Sequence, residues 1–266
     1  MAARLEGKVA VVVGAGQTPG ETVGNGRAMA MLFAREGASV VCVDRVAERA
    51  QETVTLIREE AGVASALAAD VVKAADCAKI VEAAKAEHGR LDILINNVGI
   101  GGGDAPAHRL EETAFDRILA VNLKGMWLTI KAALPVMRDQ GGGAIVNISS
   151  LAARAGGIQL AYELSKAGVN RLTTSVAQSN ARYGVRCNAI MMGYMDTPMA
   201  VSGIAGATGR PTSEVRAERD ARVPLGGRMG DAWDTAYAAL FLASDEAKFI
   251  SGAILPVDGA MGVRIG

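Results

Sequence analysis

The chain has 266 residues, half of them hydrophobic, and its 28 basic and 28 acidic side chains give a formal net charge of zero. This balance offers no basic field for nucleic acid, and no apolar run approaches the roughly twenty residues that a membrane span needs. The three scattered cysteines (Cys42, Cys77 and Cys187) and two histidines form no metal-binding pattern. We expect a cytoplasmic protein that binds no metal, no nucleic acid and no membrane.

Short runs of β-branched residues alternate with helical patterns along the chain. We predict buried strands at 9–13, 39–43, 63–69, 91–95, 144–148, 185–190 and 254–257, of which the third is the weakest candidate. The first helix is predicted over 27–36, with Gly37 in the left-handed position after its end. Because strands alternate with helices, we predict one doubly wound, Rossmann-like α/β domain over residues 1–266, built on a parallel sheet of about seven strands.

Residues 197–224 interrupt this alternation. The segment has no strand pattern, several glycines and alanines, and one charged helical run at 213–222. An excursion of this length between a strand and a helix is commonly functional, so we predict a substrate lid here.

A cluster of glycines follows the first predicted strand and opens the first helix. Gly14, Gly24 and Gly26 lie in this turn, together with Gln17 and Asn25. Glycines between a strand and a helix let the backbone approach a pyrophosphate, whose charge then lies at the amides of the helix N-terminus. The turn therefore predicts a dinucleotide site.

Asp44 ends the second predicted strand, where a carboxylate can bind both hydroxyls of an adenosine ribose. Its negative charge would repel a 2′-phosphate, which favours NAD over NADP. The adjacent Arg45 weakens that preference, because a cation there could accept the phosphate.

Tyr162 and Lys166 are four residues apart, so on a helix they share one face. A free tyrosine has a pKa of about 10. A nearby cation would lower that pKa, and the phenol could then exchange a proton with an alcohol or a ketone at neutral pH. The hydroxyl of Ser149, thirteen residues before the tyrosine, could hold the same substrate oxygen.

Seven motifs follow one another in register with the strand pattern. They are the glycine-rich turn, Asp70-Val71 after the third strand, Asn96-Asn97-Val98-Gly99 after the fourth, Asn122 in a helix, Ser149, Tyr162 and Lys166. On these motifs the chain resembles the short-chain dehydrogenase/reductase family over essentially its whole length. The resemblance implies a nicotinamide cofactor, a small alcohol or ketone substrate and a homotetramer. It also favours Ser149 over Ser150 as the catalytic serine, because the family's spacing from serine to tyrosine is thirteen.

The resemblance assigns further residues to the site. Asn122 would kink its helix and support a proton relay from Lys166, which would also bind the nicotinamide ribose. The remaining cofactor contacts that it implies are Asp70 and Val71 at the adenine, Asn97 and Gly99 in the loop after the fourth strand, and Met195 and Thr197 at the nicotinamide carboxamide.

The chain departs from the family's pattern at several positions. The glycine-rich turn is about six residues longer than usual, and residues 17–23 read as an insertion. Either this insertion is a tolerated surface bulge, or Gln17, Thr18 or Asn25 adds hydrogen bonds over the pyrophosphate or caps the cleft. Met192 replaces a usual proline, and Val98 replaces a usual alanine. The residues expected to line a mainly apolar substrate pocket are Leu151, Gln159, Met192 and Tyr194.

These observations predict an NAD-dependent oxidoreductase that interconverts a secondary alcohol and a ketone, with Tyr162 as general acid and base. One alternative is an NADPH-dependent 3-oxoacyl thioester reductase, which would normally place basic residues near the ribose phosphate. An alternative of another class is a catalytically silent nucleotide-binding scaffold. A sugar epimerase is less favoured, because no extra substrate domain follows the sheet.

Overall fold

A computed structural model of the protein describes residues 3–263. Seven parallel strands form one sheet in the order β3-β2-β1-β4-β5-β6-β7. The strands are β1 (Val9–Val13), β2 (Ser39–Asp44), β3 (Val63–Ala68), β4 (Ile93–Asn96), β5 (Gly143–Ser150), β6 (Val185–Met192) and β7 (Ile254–Val257). The α-helices are α1 (Asn25–Arg35), α2 (Ala47–Glu59), α3 (Ala74–His88), α4 (Glu112–Leu119), α5 (Met126–Asp139), α6 (Leu160–Asn180), α7 (Ser202–Thr208), α8 (Thr212–Asp220) and α9 (Ala232–Ala243).

The predicted doubly wound, Rossmann-like sheet is confirmed, and all seven predicted strands are present. The largest differences in bounds are two residues: β4 starts two residues later than predicted, and β5 and β6 each run two residues beyond the prediction at their carboxyl ends. That extension matters because it carries Ser149 and Ser150 into the sheet, paired with Met191 and Met192.

Alternate residues of the central strands face two helical layers. Val12 packs with Phe33 of α1 and Leu240 of α9, whereas Val11 faces the other layer, which contains Ile130 of α5. Both faces of the sheet are therefore buried, which explains why the strands are almost continuously apolar in sequence.

The order of the strands reverses between β1 and β4, which are hydrogen-bonded neighbours. Connections on the two sides of this point cross opposite faces of the sheet, and a crevice opens at the carboxyl ends of the strands. The glycine-rich turn after β1 and the loop after β4 meet there.

Segment 197–224, predicted as a lid, contains α7 and α8. Its small apolar cluster includes Val201, Ala205, Val215 and Val223, together with Met229. The segment is thus packed, and it stands over the carboxyl end of β6. In the part of the chain that the structure describes, no helix has the length and apolar character needed to cross a membrane.

Candidate active site

Tyr162 and Lys166 lie close together in the first turns of α6, as their spacing predicted. The Lys166 ammonium is 5.5 Å from the centre of the Tyr162 ring, and it donates a hydrogen bond to the Ile148 carbonyl at 2.8 Å. Lys166 is only 2% exposed, and burial lowers its pKa to about 8. The amine therefore remains largely protonated at pH 7.

The pKa of Tyr162 is raised from its ordinary value because the phenol is desolvated. A hydrogen bond with the Ser150 side chain and the positive charge of Arg219 oppose that rise. The expectation that Lys166 depresses this pKa stays a prediction: its ammonium donates to the Ile148 carbonyl, and desolvation is the largest influence on the phenol.

The contacts of Ser149 in the structure do not favour it as the serine that meets Tyr162. Ser149 is completely buried, and its hydroxyl donates to the Lys166 carbonyl at 3.3 Å. Ser150 is half-buried at the end of β5, and its side chain lowers the pKa of Tyr162 against the effect of burial. Adjacent strand residues point to opposite sides, so an error of one residue selects the wrong face. The family spacing of thirteen assumes a loop one residue longer than the one between Ser150 and Tyr162.

Asn122 lies in a π-helical stretch, Ala120–Gly125, that interrupts the helix between α4 and α5. Its side-chain oxygen accepts from the Ile100 amide at 2.8 Å, and its nitrogen donates to the Ile100 carbonyl at 2.9 Å and to the Ser165 hydroxyl at 3.1 Å. The completely buried side chain thus ties the predicted helix distortion to the loop after β4 and to the residue before Lys166.

The glycine-rich turn brings three backbone segments into contact. Gly14 has a φ of +85°, its carbonyl accepts from the Asn97 side chain at 2.9 Å, and a Cβ on Gly26 would overlap that carbonyl. Only glycine at these two positions lets the end of β1 meet the start of α1 and the loop after β4.

Asp44 is placed at the same turn. One carboxylate oxygen accepts from the Val46 amide at 3.0 Å, and a Cβ on Gly16 would lie 2.5 Å from the other. The same Cβ would lie 2.6 Å from the Cβ of Arg49 on α2. Sequence analysis did not single out Gly16 or Arg49 as site residues, although Gly16 lies two residues after Gly14 in the glycine-rich turn. Arg45 is exposed beside them.

The side chain of Gln17 forms hydrogen bonds across the insertion at residues 17–23. Gln17 accepts from the Gly24 amide at 2.9 Å and donates to the Thr22 carbonyl at 3.2 Å, so its amide group is committed within the loop. Asn25 instead donates to the Met192 sulfur at 3.3 Å, and its side-chain oxygen is buried with no partner among the described residues.

The insertion also contacts segment 197–224. A Cβ on Gly20 would lie 2.8 Å from the Pro198 side chain and 2.9 Å from the Ser202 hydroxyl. Glu21 approaches Arg216 to 3.4 Å, and Arg216 pairs with Asp196 at 2.7 Å. The bulge thus lies against the predicted lid.

The remaining predicted cofactor residues lie along the carboxyl edge. A Cβ on Gly99 would be 3.3 Å from the Lys166 ammonium, so glycine keeps space above the lysine. Met195 and Thr197 are each 5% exposed just after β6. Asp70 accepts from the Val72 amide at 3.2 Å, whereas Val71 is buried against Gly125.

The predicted substrate residues are only partly brought together. Gln159 and the Tyr162 ring both approach Gly101, and the Arg219 guanidinium lies 4.0 Å from the centre of the Tyr194 ring. Met192 does not belong to this group: its sulfur accepts from Asn25 and Thr235, and it packs against the layer of α1 and α9. Leu151 approaches Gly262.

Two residues that sequence analysis missed hold the reactive helix in place. Asp104 accepts from the amides of Ala161 and Tyr162 at 3.2 and 2.7 Å, and so caps the start of α6. Glu163 accepts from three consecutive amides, those of residues 157–159. Neither residue occurs in a motif. For Asp104, the only signal in the sequence is that it is a carboxylate shortly after the loop that follows β4.

This edge fits a nicotinamide dinucleotide. The absence of a side chain at Gly16 lets its backbone lie close to the Asp44 carboxylate, Gly99 leaves room beside Lys166, and the buried Asn25 oxygen lacks a protein partner among the described residues. Asp44 and Lys166 are thus the side chains that would hold the two riboses.

Comparisons with known proteins agree with this site. A family model described as enoyl-(acyl carrier protein) reductase matches residues 21–262. The chain is 41% identical to cis-4-hydroxycyclohexanecarboxylate dehydrogenase of Sinomonas cyclohexanicum over 95% of each chain. It is 35% identical to the 3-oxoacyl-(acyl-carrier-protein) reductase of Thermotoga maritima, over 97% of this chain and 99% of that one. The crystal structure of levodione reductase matches with a TM-score of 0.92 at 31% identity, covering 98% of this chain and 100% of that chain.

A doubly wound sheet with a glycine turn at its switch point, and a tyrosine beside a buried lysine at the same edge, defines a dinucleotide-binding oxidoreductase. The chain belongs to the short-chain dehydrogenase/reductase family. It is an enzyme that uses a nicotinamide cofactor and acts on CH–OH donors. The silent scaffold therefore has no support.

Proposed function

We propose that this enzyme interconverts a secondary alcohol and a ketone with NAD, and that Tyr162 transfers the proton. The observation that carries the proposal is the position of the Lys166 amine, which lies 5.5 Å from the centre of the Tyr162 ring and donates to the Ile148 carbonyl near the end of β5. A phenol held this way can exchange a proton with a substrate oxygen.

Each residue has a separate role in this proposal. Ser150, in place of Ser149, holds the reacting oxygen beside the phenol. Lys166 supplies positive charge in a buried setting, where it stabilises a phenolate more strongly than it would in water. Asn122 positions the loop at Ile100 and the turn of α6 that carries Lys166. When bound, the nicotinamide accepts or donates the hydride.

The preference for NAD rests on Asp44. Its carboxylate faces the Gly16 backbone, where it would accept hydrogen bonds from both ribose hydroxyls and repel a 2′-phosphate. Arg45 and Arg49 flank the same position and weaken that repulsion. At Gln17 we expect the backbone to contact the cofactor, because its side chain is hydrogen-bonded within the loop. The residues proposed to contact the cofactor are Gly14, Gln17, Gly24, Asn25, Gly26, Asp44, Arg45, Asp70, Val71, Asn97, Gly99, Tyr162, Lys166, Met195 and Thr197.

A secondary alcohol carried on a ring is the substrate we favour. The relative from Sinomonas, 41% identical, is named for a hydroxycyclohexane substrate. In this chain the apolar side chain of Leu151 and the rings of Tyr162 and Tyr194 could pack on such a ring, while Gln159 orients a polar group. The homotetramer and the cytoplasmic location stay predictions from the sequence.

The second candidate is the NADPH-dependent 3-oxoacyl thioester reductase, which the 35% identity to the Thermotoga reductase favours. Titration of the purified protein with NADH and NADPH, followed by assays of cyclic secondary alcohols and of 3-oxoacyl thioesters, separates the two. A preference for NADH of tenfold or more, or about 1.4 kcal/mol, with turnover of the alcohols supports our proposal. Selective binding of NADPH with turnover of the thioester contradicts it.

A further inference from the structure

Arg219 on α8 carries a charge that no carboxylate of the described residues pairs with. Its guanidinium lies 4.0 Å from the centre of the Tyr194 ring, and its Nε donates to the Met229 sulfur at 3.3 Å. Neither contact neutralises the cation or occupies the two terminal nitrogens of the fork.

The other three arginines of segment 197–224 are all paired. Arg216 binds Asp196 at 2.7 Å, Arg210 binds Glu218 at 2.8 Å, and Arg222 binds the same glutamate at 2.6 Å. The remaining nearby acid, Asp220, accepts from the Met229 amide at 2.7 Å. Each of these carboxylates has another partner, and Arg219 forms an ion pair with none of them, although the charges of Asp196 and Glu218 still act on it.

Arg219 lies at the edge of the sheet that carries the reacting centre. Its guanidinium packs on Tyr194, two residues beyond β6, and the last residue of β6, Met192, pairs with Ser150. Consistent with this position, its positive charge opposes the rise that burial causes in the pKa of Tyr162. Desolvation lowers the pKa of Arg219 itself, but a guanidinium stays protonated in proteins. A partly desolvated cation without a counter-ion is costly, and an anionic ligand would remove that cost.

We propose that Arg219 binds a carboxylate of the substrate, so that the enzyme acts on ring-borne hydroxy acids and their keto acids rather than on neutral alcohols. The two free nitrogens match the two oxygens of a carboxylate, and one uncompensated charge matches a monoanion. The Tyr194 ring packs against the Arg219 guanidinium and so orients its terminal nitrogens. The inference rests on the proposed alcohol–ketone function and adds the charge of the substrate to it.

The test compares 4-hydroxycyclohexanecarboxylate with its methyl ester, which keeps the ring and the carbinol but loses the charge. In the wild type we expect kcat/KM for the acid to exceed that for the ester by at least tenfold. Arg219→Met should lower kcat/KM for the acid by about 30- to 100-fold and for the ester by less than threefold, the loss expected for a charge-assisted hydrogen bond.

Two variants serve as controls. Arg222→Met removes a neighbouring arginine of the same segment whose pair is at the surface, and it should leave both substrates unchanged. Arg219→Lys keeps the charge but loses the fork, so it should fall between the wild type and Arg219→Met. Thermal unfolding of each variant identifies any general loss of packing at Tyr194.

Equal use of the acid and the ester by the wild type, or equal losses on both substrates in Arg219→Met, would overturn the role of Arg219. Failure to turn over either compound, or any secondary alcohol, would instead contradict the proposed function. In that case calorimetry of cyclohexanecarboxylate binding to the NADH complex decides the inference separately. Binding that Arg219→Met weakens at least tenfold and Arg222→Met does not supports it; binding that neither variant alters overturns it.

Discussion

Ser150, at the end of β5, acts on the Tyr162 phenol at the start of α6 and lowers its pKa against the effect of burial. Ser149, one residue earlier, turns away and donates to the Lys166 carbonyl instead. Of the two serines, Ser150 is thus the one that influences the phenol, and the one we expect to contact the same substrate oxygen.

The two serines therefore give opposite predictions. Ser150→Ala should lower kcat/KM by about 100-fold, because it removes a hydroxyl aimed at the reacting oxygen. Ser149→Ala should keep kcat/KM within about threefold and cost about 1 kcal/mol of unfolding free energy, because it removes one buried hydrogen bond. Steady-state kinetics and chemical denaturation measure the two effects. Full activity in Ser150→Ala together with loss of activity in Ser149→Ala would instead identify Ser149 as the catalytic serine, as the family's spacing implies.

Asp44→Asn should change the cofactor preference. The substitution removes the charge that faces Gly16 while an oxygen can still accept from the Val46 amide. We expect the dissociation constant of NADH to rise tenfold or more, and that of NADPH to stay the same or fall. Cofactor fluorescence measures both constants, and Glu48→Gln, an exposed carboxylate at the start of α2, is the control. Unchanged NADH binding would remove Asp44 from the site.

Trimming the insertion should weaken NADH binding and leave the fold intact. Deleting residues 18–23 removes the packing of Gly20 on Pro198 and Ser202, which supports segment 197–224 beside the cofactor cleft. Glu21→Gln is the control, because Glu21 is 68% exposed and an exposed ion pair at 3.4 Å contributes at most about 1 kcal/mol. A cooperative unfolding transition with an unchanged dissociation constant would identify the insertion as a tolerated bulge.

Sequence patterns predicted the parts of this molecule that depend on periodicity. The strands were predictable because residues such as Val11 and Val12 are buried on opposite faces, which leaves a continuous apolar run. The proximity of Tyr162 and Lys166 followed from helical spacing alone. Both depend on local geometry that does not change with the surroundings.

The parts that depend on loop length and on tertiary pairing were not predictable. Ser149 was chosen over Ser150 because it lies thirteen residues before Tyr162, and that count cannot detect that the loop between β5 and α6 is one residue shorter than the family's. Met192 was assigned to the substrate wall, yet its sulfur faces Asn25, since the side of a strand end is fixed by the register with its neighbours. Arg219 looks like Arg216 and Arg222 in sequence, and only the ion pairs of those two distinguish it.

The measurement that tests the account most directly is the comparison of cofactor binding with turnover in Tyr162→Phe. The variant keeps the ring beside Lys166 and removes only the hydroxyl that exchanges the proton. We predict a dissociation constant for NADH within threefold of the wild type and a fall in kcat of between about 100- and 10,000-fold, the range of general acid–base catalysis. Turnover above a tenth of the wild-type rate, with NADH still bound, would contradict the assignment of Tyr162 as the acid and base.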